Sequence, residues 1–78
     1  MIYDENKILE SVMAELQEAK NKNLKTITLK NENIDYSFHK KILQCIKKKN
    51  FRVSNERLIS QSDAMNDCTS IIEVQAKR

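Results

Sequence analysis

The chain has no glycine and no proline, a single histidine, two cysteines, two tyrosines, two phenylalanines and no tryptophan in 78 residues. Each shortage removes a class of function. Without glycine there is no Gly-rich loop to cradle a phosphate. An EF-hand is excluded for the same reason, since its loop turns on a central glycine. His39 has no second histidine to join it at a metal. Cys45 and Cys68 are in neither CxxC nor zinc spacing. Cys45 and His39, six positions apart on one predicted helix, do not meet. The expectation is a protein with no catalytic residues, no metal site and no cofactor, and not an enzyme.

Long apolar runs are also lacking. No segment is long and apolar enough to span a membrane. Asp4 and Glu5 stand where a secretion signal carries positive charge, so no signal peptide is expected. A cytoplasmic setting with reduced thiols follows, with Cys45 as a small core residue. At 40% hydrophobic and 32% charged, the chain has enough apolar residues to fold as one small domain, 1–78. The net charge of +3 is unevenly spread. Asp4, Glu5, Glu10, Glu15 and Glu18 crowd the first predicted helix, whereas no acidic residue lies between Tyr36 and Asn55.

What the chain does contain is organised around Asp35 to Val53. At about 100° per residue, Phe38, Ile42, Leu43, Cys45 and Ile46 share one helical arc, with Lys40, Lys41, Gln44, Lys47 and Lys48 opposite. Asp35 is the predicted N-cap. Asn50 is predicted to end the helix in a left-handed conformation, the best substitute for the missing glycine. Phe51 then falls where it packs on Ile46, and Phe51 and Val53 alternate with Arg52 and Ser54 as a half-buried strand. His39 lies at the edge of the apolar arc and reads as a partly buried structural histidine.

Residues 4–22 predict the first helix, with Asp4 as N-cap and an apolar stripe through Ile8, Leu9, Val12, Met13, Leu16 and Ala19. Tyr3 and Ile8 are placed as a hydrophobic staple, and Glu18 and Lys22 as an i,i+4 pair. Lys22-Asn23-Leu24 matches Lys49-Asn50-Phe51, so the helix ending is used twice. Leu24 to Lys30 predicts a strand with Ile27 and Leu29 on one side and Thr26, Thr28 and Lys30 on the other. Asn31 to Asn33 reads as a connection. The strand begun at Phe51 is expected to bend near Asn55-Glu56, and Ser60 to Asp67 is a polar loop. Ser60, Ser62, Asp63, Asn66 and Asp67 there are oxygen-rich, which turn chemistry explains without a cation. Thr69 to Ala76 is the last strand, with Ile72, Val74 and Ala76 on one face.

These elements predict an α+β, two-layer fold of order α-β-α-β-β. Two helices cover one face of a three-stranded mixed sheet. A parallel β-α-β crossover leads to a last strand that returns antiparallel beside the second. Strand order is left open. With Met1 to Tyr3 added as an edge strand, the order resembles the C-terminal domain of bacterial translation initiation factor three. That is a likeness of topology without functional content.

Candidate binding residues are Lys40, Lys41, Lys47 and Lys48, with Arg52 extending them as a cationic ridge toward phosphate or an acidic partner. A solvated helix face with Lys47 and Lys48 at the negative end of the helix dipole explains the same residues. Ile71 is predicted to point outward among polar neighbours, where it can seed an interface. The aromatics have capping or core positions, so no base-stacking platform is expected. The leading expectation is a small non-enzymatic protein-binding module, with an unidentified protein as partner or a second copy joined at a sheet edge. The alternative is a nucleic-acid backbone binder using the basic second helix.

Asn23-Leu24…Ile27-Thr28-Leu29, Ile42-Leu43…Ile46, Asn50-Phe51-Arg52-Val53-Ser54 and Ser70-Ile71-Ile72-Glu73-Val74 together resemble the short α-β-α-β-β proteins common in phage and prophage genomes. Those proteins usually carry glycine where this chain has asparagine at the helix ending. The resemblance implies a phage-encoded protein that modulates a host or phage protein, and it transfers no site residue.

Overall fold

The computed structural model describes residues 3–60 and 68–76. The expected loop beyond Ser60, an edge strand at Met1 and the tail at Lys77 lie outside the described residues. The first helix, α1, spans Glu5–Asn21, and the Asp4 carboxylate accepts from the Lys7 N–H at 3.2 Å. Val12, Leu16 and Ala19 are buried along it, with Ile8 and Leu9 packed at the margin of the core, whereas Met13 of the expected stripe is exposed. Glu18 and Lys22 meet at 2.7 Å. Hydrogen bonding and charge from Lys22 hold the Glu18 carboxyl below its ordinary range.

The helix ends as its sequence predicts. Asn23 has φ 56°, its N–H reaches the Lys20 carbonyl at 3.2 Å, and the Leu24 N–H reaches the Ala19 carbonyl at 2.9 Å. This pair of reversed bonds satisfies carbonyls that the helix leaves open. Strand β1, Thr26–Ile34, then runs straight through the expected connection at Asn31 to Asn33. Its pairing shifts register between Asn31 and Ile34, and Asn33 has φ 58°. A bulge therefore returns Ile34 to the core, where it is fully buried.

Helix α2, Tyr36–Lys48, starts with the Asp35 carboxylate accepting from the Phe38 N–H at 2.8 Å and from the Ser37 hydroxyl at 3.0 Å. Phe38, His39, Ile42 and Ile46 are buried, while Leu43 and Cys45 are half-buried. Tyr3 lies with its ring centroid 5.1 Å from that of Phe38, and its hydroxyl accepts from the Asp35 N–H at 3.5 Å. Asn50 has φ 64° and donates its N–H to the Lys47 carbonyl at 3.2 Å. Ile46 and Phe51 share the core cluster with Leu29, Ile72 and Val74.

Strands β2, Phe51–Ser60, and β3, Cys68–Ala76, complete a sheet of order β1-β3-β2. Both pairings are antiparallel, which corrects the expected mixed sheet. β1 and β2 do run parallel to each other, but β3 lies between them. The reason is in the residues. β3 carries Cys68, Thr69, Ser70, Ile72 and Val74, all buried, whereas β1 and β2 carry the exposed charges Lys30, Glu32, Arg52, Glu56 and Arg57. The strand that can be covered on both sides takes the centre, and the charged strands take the edges.

The bend expected near Asn55 is a bulge between Val53 and Asn55, through which β2 continues as one strand. Ser54 is the extra residue, and its hydroxyl donates to the Glu73 carbonyl at 3.2 Å. The bulge shifts alternation by one. Asn55, rather than Ser54, stands opposite Glu73, and Glu56 stands opposite Ile72 on the helix side.

Two outcomes test these local assignments. Asn50→Gly should leave stability unchanged or slightly raised, and Asn50→Val should cost about 1–2 kcal/mol, because a β-branched residue opposes the left-handed conformation. Urea unfolding that ranks the two variants equally would contradict the turn. Asp35→Ala should cost about 0.5–2 kcal/mol. The Phe38 N–H, opposed in part by burial, holds the Asp35 carboxyl below its usual value. Its contribution is therefore complete above the unfolded carboxyl's pKa and is lost as pH falls through the lower folded value. Stability measured from neutral pH into acid should fall less steeply in Asp35→Asn than in the wild type.

Candidate functional site

Helices cover only one side of the sheet, so β1, β3 and β2 present an outer face. Cross-strand register places Lys30, Ile71 and Arg57 in one row, with Thr28, Glu73 and Asn55 in the next. Thr26, Gln75 and Arg52 form a third row. Ile71 is half-buried there, on the opposite side from the buried Ser70 and Ile72. Ile59, opposite Thr69, is 40% exposed. The Asn55 amide donates to Glu73 Oε1 at 3.3 Å, and Lys30 lies 3.9 Å from Glu32. Among the described residues, Arg52 and Arg57 have no ion-pair partner.

The predicted lysine ridge divides into two sides. Lys40 and Lys47 are separated by about 20° around α2, and so are Lys41 and Lys48. Lys41 turns to α1 and pairs with Glu5 at 3.2 Å. Lys40 lies over the Tyr36 ring, 4.8 Å from its centroid. Lys47 joins Phe51, Arg52, Val53 and Glu56 in lining a groove of about 590 Å³ between α2 and β2. The structure thus brings Lys47 and Arg52 together and sets Lys41 apart from them. Ile71 belongs to the sheet face, away from the lysines.

Sequence reasoning missed a buried polar chain under α2. His39 is 2% exposed and Ser70 fully buried. His39 Nδ1 lies 2.6 Å from Ser70 Oγ, and Nε2 lies 3.1 Å from Glu56 Oε1. An ionised Glu56 accepts only, so Nε2 carries a hydrogen. In the neutral ring Nδ1 is then the acceptor and Ser70 donates to it. Serine, histidine and carboxylate are also the residues of a hydrolytic triad, but Ser70 Oγ has no exposed surface from which to reach a substrate. The chain instead ties α2 to β3 and to β2.

Ser70 was accessible to sequence reasoning, since it continues the inward alternation of Ile72 and Val74. Glu56 was not, because only the bulge at Ser54 turns it toward His39. Among the described residues, no group of three or more His, Cys, Asp or Glu side chains could hold a metal ion. Nor is any helix among the described residues long and apolar enough to cross a membrane. No protein-family model, no curated protein and no solved structure matches the chain.

Ser70→Ala should cost about 1–3 kcal/mol, the penalty for leaving His39 Nδ1 buried without a partner. Adding His39→Leu should recover part of that loss, because both polar groups are then gone. Equal losses in the single and double variants by urea titration would mean that packing, not the hydrogen bond, matters at this position.

Proposed function

We propose that this protein is a small non-enzymatic binding module that docks on another protein through its sheet. The observation that carries this reading is the outer face, which among the described residues no helix covers and where Ile71 and Ile59 lie among Lys30, Arg57 and Asn55. Apolar side chains framed by polar ones are the usual composition of an interface, with an apolar centre and a polar rim. Burial of Ser70 and His39 supports a binding rather than a catalytic role. The resemblance to short phage-type proteins agrees with a module that modulates a host or phage partner.

A second reading, nucleic-acid backbone binding, rests on Lys47 and Arg52 lining one groove. Against it, Glu56 lines the same groove and repels phosphate.

Binding assays on bacterial lysate and on labelled DNA and RNA at two salt concentrations separate the readings. The expected result is a captured protein identified by mass spectrometry, retained at higher salt. Capture should be lost in Ile71→Asp and kept in the Lys40→Glu/Lys47→Glu double variant. Nucleic-acid binding that falls steeply with salt and disappears in the lysine variant would overturn the docking reading.

A further inference from the structure

β2 is the last strand of the sheet, and among the described residues no strand pairs with its outer side. It is ten residues long, enough to offer an extended chain a row of backbone N–H and C=O groups. The side chains along it are asymmetric in charge. On the outer face it shows Arg52, Asn55, Arg57 and Ile59, with no carboxylate. On the helix side lie Lys47 from α2 and the half-buried Val53 and Leu58. Glu56 lies there too, one oxygen engaged by His39 at 3.1 Å.

The other edge differs. β1 carries Lys30 beside Glu32, so its outward charges balance. A second copy is a poor occupant for β2. Joining two β2 strands sets four arginines on one face with no acid on the outer side of either β2, and like charges across strands destabilise pairing. Joining β2 to a second copy's β1 supplies one lysine for one glutamate. Nucleic acid is poorly matched as well. No aromatic side chain stands on β2's outer face, and Glu56 interrupts the path of a continuous polyanion.

We propose that the free edge of β2 receives an acidic, extended segment of a partner protein as a fourth strand. Its carboxylates meet Arg52 and Arg57, and its alternate apolar side chains lie toward Val53 and Leu58. Backbone bonds along the edge supply affinity, and the two arginines select acidic segments. The proposal rests on the protein-docking reading and gives that partner a chemistry.

The test uses the full chain and synthetic eight-residue peptides. One alternates glutamate with valine, a second replaces glutamate with lysine, and a third is the acidic peptide N-methylated on alternate amides. Backbone NMR shifts caused by the acidic peptide should be confined to β2 and its groove. The lysine peptide and the form methylated on the strand-pairing amides should not bind. Arg57→Glu should weaken acidic-peptide binding about tenfold, the equivalent of one charge-assisted hydrogen bond. Arg52→Glu serves as an independent second variant, with spectral dispersion reporting the fold of each. Equal binding of an eight-nucleotide single-stranded DNA, shifts centred on α2, or indifference to N-methylation would overturn the proposal. So would a dimer by sedimentation that Arg57→Glu leaves intact. If a lysate partner is captured through Ile71 while no peptide binds β2, strand addition fails and docking through the face stands. If the acidic peptide binds β2 but no protein is captured, the edge chemistry holds and the docking reading fails.

Discussion

Phe38, Ile42 and Ile46 lose all solvent exposure against the sheet, and the remaining elements are placed by that seam. Burying each such side chain is worth about 1.5–3 kcal/mol. Three of them therefore approach the net stability of a small domain, about 5–15 kcal/mol. α1 adds Val12 and Leu16 to the same cluster, and Tyr3 closes its end over Phe38. The sheet answers with Leu29, Ile34, Phe51, Ile72 and Val74. Within this apolar seam sits one polar crossing, His39 with Ser70 and Glu56. An apolar contact tolerates small slides, whereas a hydrogen-bonded ring in a dry interior does not. That chain of contacts sets where along β3 and β2 the helix rests.

The absence of glycine shapes the turns around this seam. Three asparagines, Asn23, Asn33 and Asn50, take left-handed backbone angles. Two of them end helices and lead directly into strands, so the same chemistry delivers α1 to β1 and α2 to β2. Asparagine accepts these angles at some cost relative to glycine but leaves a less flexible unfolded chain. The third supports the bulge that brings Ile34 back to the core.

Functional character follows from what the two layers leave open. Both helices occupy one face, and among the described residues no helix covers the other face and no strand pairs with the outer side of β1 or β2. Arg52 and Arg57 on β2 have no carboxylate partner among the described residues, while Lys41 and Lys30 each lie near one. Of the basic residues from Tyr36 to Asn55, Lys47 and Arg52 meet at the groove beside β2, whereas Lys41 pairs with Glu5 of α1. The apolar side chains Ile59 and Ile71 lie beside Arg57 on the sheet.

Local signals were legible in the sequence because local physics decides them. The caps at Asp4 and Asp35, the turns at Asn23 and Asn50, the Glu18–Lys22 pair and the buried faces of both helices depend on residues within one or two turns of each other. The outward side of Ile71 followed from simple alternation. Strand order did not, because β3 enters between β1 and β2 only when contacts distant in sequence compete for the core. The all-antiparallel sheet is the consequence. The division of the lysines needed the positions of Glu5 on α1 and of the groove beside β2. Glu56 was hidden by a single extra residue at Ser54, since one bulge reverses which side every later residue faces. Helical and turn propensities act over a few residues and can be read from them. The site depends on register between strands, which only the packed chain determines.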